Sequence, residues 1–206
     1  LQLDTLDLSL VHWPVAFTHG TDYPASTDEF VSLDEIPLAD TWAAMEALVE
    51  EGQTTHLGVS NFTRGQLDEA RRACEAPLVT NQVLYHPYTD QSALRSYCAE
   101  HDMALTAYSP LARGAVLSDE ALADIGRRHD KSPAQVALRW LIQQEQVIAI
   151  PKASSRPHLA ANLDVFDFAL SDAEMTQIQQ HRGPLGVRLQ TLLPSIMRRL
   201  PFIPSV

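Results

Sequence analysis

Short apolar runs alternate with helical patterns along this 206-residue chain, and that alternation constrains its fold more than any other feature. Several runs are apolar on both faces, as expected for parallel strands that helices cover. The predicted strands are Leu6–Val11, His56–Asn61, Leu78–Tyr85, Met103–Tyr108 and Val147–Pro151. The sequence therefore predicts an α/β fold with a parallel sheet, and its length suits one domain with a sizeable core.

The first run, Leu6–Val11, predicts a short buried strand that stops before Pro14, because proline cannot donate to a sheet ladder. This boundary leaves His12 at the very end of the strand. For one such residue, a core or loop histidine with a hydrogen-bonding neighbour is the simpler interpretation. A functional interpretation depends on whether the other strands end in a similar way.

Capping residues mark several of the predicted helices. Gly52 ends the first helix, while Thr63 and Ser132 stand where they can cap later ones. Ser171 and Glu174 have the spacing of a capping box. The predicted helices cover residues 38–51, 63–74, 92–101, 118–128, 132–144, 156–162 and 171–180.

Two segments show no regular periodicity. Residues 15–37 predict a loop on the substrate side, because so long a connection is uncommon in a compact domain unless it serves a function. Residues 183–206 contain four prolines among Leu, Ile and Arg and predict an irregular tail. The predicted organisation is therefore one domain over residues 1–182 followed by this tail.

Composition narrows the functional classes. A formal net charge of −11 argues against a nucleic-acid or anionic membrane partner, and no apolar run approaches the ~20 residues of a membrane helix. Cys74 and Cys98 fall in helical stretches and predict no disulfide framework, so a cytoplasmic location is expected. Since the chain opens at Leu1, only a few residues before a core strand, we expect it to be a piece of a longer protein.

Polar side chains recur at the carboxyl ends of the predicted strands. They are His12, Ser60, Asn61, Gln82, Tyr108, Ser109 and Lys152. Each has a simpler explanation: a rim aromatic for Tyr108, a turn or helix cap for Ser60 and Asn61, a core amide for Gln82. Because the carboxyl ends of parallel strands form the functional edge of an α/β fold, the recurrence on every strand favours a shared site.

These residue types suit the binding of an organic cofactor. Ser, Asn and Gln can hydrogen-bond a carboxamide such as that of nicotinamide, and a tyrosine ring can stack on a flat heteroaromatic face. A lysine near a helix start can meet a phosphate, and a neutral histidine can donate to a carbonyl oxygen. The sequence contains no GxGxxG fingerprint, no metal-spaced His or Cys cluster and no GxSxG elbow.

Six motifs in a fixed order, spread over residues 3–180, make a family resemblance specific. They are LDLSLVHWP, GVSNF, TNQVLYHPY, AYSPLARG, SPAQVALRW and IPKASSRPHLAANLDVFDF. The chain resembles the carboxyl-terminal two-thirds of an aldo-keto reductase, most closely the bacterial 2,5-diketo-gluconate-reductase-like branch. The resemblance implies a (β/α)8 TIM barrel, with only about five of eight β/α units present, those of strands 4 to 8.

The resemblance also implies roles for individual residues. His12 would be the catalytic histidine that orients the substrate carbonyl, and Trp13 would border the substrate pocket. The implied NADPH-binding residues are Ser60, Asn61, Gln82, Tyr108, Ser109, Leu111, Arg113, Lys152, Ser154, Arg156, His158 and Asn162.

Within that set, Ser60, Asn61 and Gln82 would hold the nicotinamide carboxamide, and Tyr108 would stack on the nicotinamide ring. The pyrophosphate would lie along Ser109, Leu111 and Arg113. Lys152 and Ser154 would lie at the adenosine 2′-phosphate, and Asn162 at the adenine.

Two departures from the family pattern concern the adenosine end. His158 stands where the family has the arginine that grips the 2′-phosphate, and Ala161 replaces a glutamate beside Asn162. Arg156 could substitute for the missing arginine, but its absence from the family position makes the preference for NADPH less secure, and NADH stays an alternative cofactor. The family's catalytic aspartate, tyrosine and lysine precede a segment like Leu6–Pro14, and these 206 residues contain no counterpart of them.

The expected function is NADP(H)-dependent reduction of an aldehyde or ketone to an alcohol by the parent protein, with the isolated chain inactive. Two alternatives remain open: a non-catalytic NADPH-binding protein and an inactive fragment. The expected partner is a small carbonyl substrate, with no nucleic acid, membrane or metal, and the expected state of a full barrel is a monomer.

Overall fold

A computed structural model describes residues 3–17, 30–31, 35–181 and 183. Its strands are β1 (Leu6–Val11), β2 (Ala16–Phe17), β3 (Phe30–Val31), β4 (Thr54–Ser60), β5 (Leu78–Leu84), β6 (Ala104–Tyr108) and β7 (Val147–Ala149). Its α-helices are α1 (Leu38–Glu50), α2 (Arg64–Ala73), α3 (Ser92–Glu100), α4 (Glu120–Arg128), α5 (Pro133–Ile142), α6 (Arg156–Leu163) and α7 (Asp172–Gln180). A 3₁₀ segment, Ala112–Ser118, precedes α4.

The five strands expected from the sequence form one sheet in the order β1-β4-β5-β6-β7. The pairs β1/β4 and β6/β7 are parallel, with Leu10 opposite Gly58 and Thr106 opposite Ile148. Helices follow β4, β5, β6 and β7 along the chain. The predicted α/β class is therefore confirmed.

The first strand is less buried than the sequence suggested. Leu6 and Leu8 in β1 are 37% and 41% exposed, so the expectation of a buried strand is wrong. The reason is position in the sheet: β1 has β4 on one side and no further strand among the described residues on the other. Alternating leucines predict a strand correctly, but they do not reveal whether that strand lies inside a sheet or at its edge.

The segment 15–37, expected to be a continuous loop, includes two very short strands. β2 and β3 pair antiparallel, with Ala16 opposite Val31 and Phe17 opposite Phe30. Residues 18–29 and 32–34 of this segment lie outside the described residues, as does the predicted tail except for Gly183.

The described residues fall into two compact units that divide between Asn81 and Gln82. In the first unit, α1 and the turn after β4 share the core. Trp42 and Phe62 are fully buried, with their ring centroids 6.3 Å apart in an edge-on arrangement. Leu57, Val59 and Leu67 complete this core without exposed surface. The apolar faces of β4, α1 and α2 meet here and hold the carboxyl end of β4 in place.

In the second unit the core lies between β6 and the helices α4 and α5. Leu105, Leu122, Ile125 and Leu141 are all fully buried. Tyr85 packs edge-on against Trp140 at 5.3 Å, and its hydroxyl donates to Gln144 Oε1 at 2.7 Å. This packing supports the carboxyl end of β6, where the chain turns into the 3₁₀ segment.

Three helices begin as their sequences predict. Thr63, Ser132 and Ser171 each accept a hydrogen bond from the backbone N–H three residues ahead, and a Gln or Glu side chain there completes a capping box. Such caps satisfy backbone donors that otherwise have no partner in the first helical turn. Among the described residues, no helix has both the length and the apolar character needed to cross a membrane.

Candidate active site

The tight turn after β4 is hydrogen-bonded to the end of the neighbouring parallel strand, β1. Ser60 and Asn61 are each 2% exposed, and Asn61 adopts a left-handed backbone with φ of 64°. The Asn61 side-chain nitrogen donates to the carbonyl oxygen of His12 at 3.2 Å and to Ser60 Oγ at 3.0 Å. This amide therefore fixes the backbone at the point where β1 has ended and the predicted catalytic histidine stands.

The His12 side chain is exposed, and Trp13 beside it is half-buried. Their rings lie 5.8 Å apart and are tilted by 39°. Next along the chain, Pro14 is buried and limits further movement of the backbone. The backbone of His12 is therefore anchored while its ring is exposed.

A second amide supports the same turn, and sequence reasoning missed its role. Asn81 is fully buried; its side-chain nitrogen donates to the Phe62 carbonyl at 2.9 Å, and its oxygen accepts from the Phe62 N–H at 3.4 Å. A polar residue inside an apolar strand such as β5 is the signal that could have revealed it, because buried amides need partners.

The left-handed backbone of Asn61 predicts different stabilities for two variants at this position. Asn61→Gly keeps the backbone conformation accessible and removes the amide, so we expect the free energy of unfolding to fall by about 1–3 kcal/mol. Asn61→Ala removes the amide and adds left-handed strain, for a further loss of about 1–2 kcal/mol. Urea denaturation measures both, and equal losses for the two variants would contradict the strain argument.

In the second unit, two predicted cofactor residues come from neighbouring strands. Gln82 is half-buried inside β5 and comes before Leu84, the last residue of that strand, so its assignment to the strand's carboxyl end is a correction. Tyr108 is half-buried and ends β6 as expected. Both residues make further contacts within the protein.

The chain leaves β6 through a turn with a concentration of left-handed backbone. Ser109, Ala112 and Arg113 have φ values of 51°, 48° and 54°, and Gly114 follows at 94°. The turn is held by hydrogen bonds from the Ala112 N–H to the Ser109 carbonyl at 2.9 Å and from the Gly114 N–H to the Leu111 carbonyl at 2.8 Å. Non-glycine residues in this conformation carry a cost and are concentrated at binding sites.

This turn forms one wall of a cavity of about 640 Å³. The cavity is lined by Ser109, Pro110, Leu111, Arg113, Gly114, Leu117, Ser132, Ala134, Lys152, His158, Ala161 and Asn162. Six of these residues belong to the predicted cofactor set: Ser109, Leu111, Arg113, Lys152, His158 and Asn162. The structure thus brings together predicted residues that are far apart in the sequence.

Other predicted residues stay outside this cavity. Ser154 and Arg156 are exposed and are absent from its lining. Sequence reasoning in turn missed Ser132 and Ala134, at the start of α5, which do line it. Ser132 also caps α5, as the sequence predicts, because its hydroxyl accepts from the Gln135 N–H at 3.3 Å.

The ionisable side chains that line the cavity are all basic. Its lining contains Arg113, Lys152 and His158, and contains no aspartate or glutamate. Ser109 and Asn162 add a hydroxyl and an amide that can donate hydrogen bonds, whereas the Ser132 hydroxyl already donates to Gln135 Oε1 at 2.9 Å. A basic lining with neutral donors is typical of a site for a phosphorylated ligand, even though the net charge of the whole chain is −11.

Two buried thiols can be separated from this chemistry. Cys74 and Cys98 are free and buried, and burial raises the pKa of each thiol to about 11. Both thiols are therefore protonated near neutral pH and are poor nucleophiles. The described residues also contain no group of three or more His, Cys, Asp or Glu side chains that could hold a metal ion.

Parallel strands, helices that follow them and a basic cavity at the end of β6 place this chain in the α/β class, with the arrangement of part of a (β/α)8 barrel. The family model described as Aldo/keto reductase family matches residues 1–182. The chain belongs to this family, which confirms the family predicted from its motifs.

The chain is similar in sequence to individual members of the family over most of its length. The chain is 39% identical over 190 residues to aldo-keto reductase family 1 member A1-A of Danio rerio, covering 87% of this chain and 58% of the relative. It is 37% identical over 207 residues to aldo-keto reductase family 1 member A1 of Xenopus tropicalis, covering 95% and 62%. The chain thus spans about three-fifths of the length of these relatives.

Solved structures agree with this assignment. One of a protein assigned provisionally as 2,5-diketo-D-gluconic acid reductase B has a TM-score of 0.77 at 37% identity, covering 91% of this chain and 60% of that one. The aldose reductase of Schistosoma japonicum has a TM-score of 0.82 at 32% identity, covering 100% and 67%. A mutant of Gox0644 in complex with NADPH has a TM-score of 0.73 at 34% identity, covering 90% and 61%.

Proposed function

We propose that this protein binds NADPH through the basic cavity at the end of β6 and contributes to the reduction of an aldehyde or ketone to an alcohol. The observation that carries the proposal is the lining of that cavity, in which Arg113, Lys152 and His158 occur without an acidic residue. Family membership supports the reaction class, and the NADPH complex of Gox0644 supports the choice of cofactor.

The donor set fits the anionic part of NADPH. A diphosphate and a phosphate monoester present oxygen acceptors that match ammonium, guanidinium and hydroxyl donors. Lys152 comes shortly after β7, and Arg113 belongs to the left-handed turn after β6, so both cations stand on short segments supported by strands. When bound, NADPH supplies a hydride for the carbonyl carbon of the substrate.

The protein's own groups have distinct proposed roles. His12 donates a hydrogen bond to the substrate carbonyl oxygen and so polarises and orients it, while Trp13 borders the substrate. Ser60, Asn61 and Gln82 hold the nicotinamide carboxamide, and Tyr108 stacks on the ring. Ser109 and Leu111 follow the pyrophosphate, and Asn162 meets the adenine. The structural support for the His12 role is the Asn61 hydrogen bond that anchors the His12 carbonyl.

Reduction is proposed for the protein that contains a complete set of family catalytic groups. Within these 206 residues, His12 is the one group to which the resemblance gives a catalytic role, and loss of an acid typically costs ~10²–10⁴ in rate. We therefore propose that a polypeptide of these residues alone binds cofactor without appreciable turnover. NADH stays the alternative cofactor, because Arg156 lies outside the basic cavity.

The cofactor proposal makes a direct prediction about Lys152. Replacing it with methionine keeps the length of the side chain and removes the charge. We expect the dissociation constant for NADPH to rise about 10–100-fold, because a charge-assisted phosphate contact contributes about 1.5–3 kcal/mol. Quenching of tryptophan fluorescence on NADPH addition measures the change.

A control variant tests whether removing a positive charge elsewhere in the protein weakens NADPH binding in the same way. Arg72→Met removes an exposed cation from α2, which does not line the cavity, and should change the dissociation constant less than about twofold. An unchanged NADPH affinity in Lys152→Met, with the variant folded by circular dichroism, would contradict the site. Failure of the unaltered protein to bind NADPH at all would contradict the proposed function.

A further inference from the structure

We propose that a second copy of this chain docks on an apolar face formed by β7 and α6, so that two copies make a dimer with two-fold symmetry. This face, called the β7–α6 face below, consists of the exposed side chains of Ile148, Ile150, Leu159, Leu163 and Phe166. All five residues belong to the second compact unit. Such a dimer is separate from the proposed function, because it does not require NADPH.

One side of β7 is an open strand edge. Among the described residues, β7 pairs with β6 and with no other strand. The Leu105 N–H donates to the Gln146 carbonyl at 2.9 Å, and further along the Ile150 N–H donates to β6 at 3.1 Å. Because successive residues of a strand direct their backbone groups to alternate sides, the backbone groups of Ala149 point to the open side. An edge of this kind can pair with a strand of another chain.

The open edge is apolar on both faces of the sheet. Side chains alternate along a strand, so Ile148 and Ala149 lie on opposite faces. Ile148 is 51% exposed and Ile150 is 47% exposed. On the other face, Ala149 lines a cavity of about 280 Å³ whose lining contains no charged residue. A chain that pairs with β7 therefore gains apolar contacts on both faces.

The helix α6 supplies the rest of the β7–α6 face. No residue of α6 is buried, and its Leu159 and Leu163 are 50% and 71% exposed. Their spacing of four residues places both leucines on one side of the helix. Phe166, shortly after the helix, is 72% exposed and lines the same cavity as the two leucines and Ala149. The strand edge and the helix therefore form one continuous surface.

The size of this surface suits a second copy of the chain. Its five side chains expose on the order of 500 Å² of apolar surface, which is large for a soluble monomer and commonly marks an interaction site. A standard interface buries ~800 Å² on each partner, so these side chains supply more than half of that area. Two-fold symmetry places the same face on both partners, and each copy then covers the exposed side chains of the other.

The charges beside the β7–α6 face do not oppose the approach of an identical copy. Asp164 and Asp167 lie close to Phe166 in the chain, and Lys131 Nζ donates to the two carboxylates at 2.9 and 2.8 Å. Each copy thus neutralises these acidic groups internally. The monomer expected of a full barrel belongs to a closed sheet, which has no open edge.

Sedimentation equilibrium of the full chain over a series of concentrations tests the dimer. We expect a discrete dimer whose dissociation constant rises at least about 100-fold in Leu163→Asp and in Phe166→Asp, because each change places two carboxylates in an apolar interface. Both side chains are exposed in a single copy, so the variants should keep the circular dichroism of the unaltered protein. Leu3→Asp is the matched control, since Leu3 is 65% exposed outside the face and should leave the dimer intact.

Amide hydrogen exchange gives a second readout that needs no substitution. The Ala149 N–H should become bonded to the partner strand, whereas the Ile150 N–H is already bonded to the Ala107 carbonyl within one copy. We therefore expect the exchange rate of Ala149, relative to that of Ile150, to fall as the protein concentration rises.

Each outcome decides the proposal. A discrete dimer that both aspartate variants dissociate, with protection of Ala149 that depends on concentration, supports it. A monomer at every concentration overturns it, and so does a dimer that both variants leave intact. A mass that grows without limit also overturns it, because that result indicates head-to-tail pairing through β1, the other open edge among the described strands.

Discussion

Replacing Asp119 with asparagine should lower the free energy of unfolding by about 2–4 kcal/mol. Its side chain is 5% exposed and accepts hydrogen bonds from Tyr88 Oη at 2.8 Å and from the Leu122 N–H at 3.1 Å. His181 Nε2 lies 2.6 Å from the same oxygen that Tyr88 meets. An asparagine retains the shape but loses the charge and sets an amide N–H against one of these donors. Urea denaturation near neutral pH measures the loss.

Asp124→Asn is the matched control for this prediction. It lies on the same helix, α4, with a side chain that is 60% exposed and paired with Arg127. An exposed ion pair of this kind contributes little, so the control should change the free energy of unfolding by less than about 0.5 kcal/mol. A similar loss of unfolding free energy in both variants would show that the buried contacts of Asp119 with Tyr88 and His181 do not stabilise the folded protein.

The pH dependence of the Asp119 variant follows from the same contacts. Burial by itself raises the pKa of this carboxyl, but hydrogen bonds from His181, Tyr88 and the Leu122 amide outweigh it, and the pKa is lowered. Because the folded pKa lies below the unfolded one, the contribution of Asp119 is present above about pH 4 and is lost as the pH falls through the folded pKa. The gap between the unaltered protein and Asp119→Asn should therefore narrow in acid.

A neighbouring histidine affects both proteins alike. Burial lowers the pKa of His86 to about 4, and its Nδ1 accepts from the Tyr88 N–H at 3.2 Å. The unfolded chain binds this proton more readily, so stability falls between about pH 6.5 and pH 4 whether or not Asp119 is present. This effect cancels in the difference between the two proteins.

Replacing Gly126 with alanine should destabilise the protein by at least about 2 kcal/mol, although helix propensity alone favours alanine by about 1 kcal/mol. A Cβ atom at Gly126 would lie 3.2 Å from the Lys131 carbonyl carbon and closer still to its oxygen. The Lys131 N–H donates to the Gly126 carbonyl at 2.9 Å, so the chain after α4 folds back onto this glycine. Thermal and urea unfolding measure the change.

The opposite exchange in the same helix separates packing from propensity. Ala123→Gly alters a half-buried position of α4 and should cost only the propensity difference of about 1 kcal/mol. A stabilising Gly126→Ala would mean that the turn at Lys131 relaxes without cost, and the steric explanation would then be wrong.

The sequence by itself determined the elements whose causes are local. Thr63, Ser132 and Ser171 cap helices through contacts with residues three positions ahead. A short stretch of sequence therefore determines where each of these helices begins. The parallel sheet followed from apolar runs that alternate with helical patterns. The family followed from six motifs in order, and the family model confirms it.

Only the tertiary structure decided properties that depend on distant neighbours. The exposure of Leu8 depends on which strands lie beside β1, and the obstruction at Gly126 depends on the path of the chain after α4. In the cavity, His158 and Arg156 share one helical turn, yet only His158 belongs to the lining. That difference depends on how α6 is rotated against the rest of its unit. The packing of α6 sets this rotation. The sequence positions of Arg156 and His158 do not show which of the two faces the cavity.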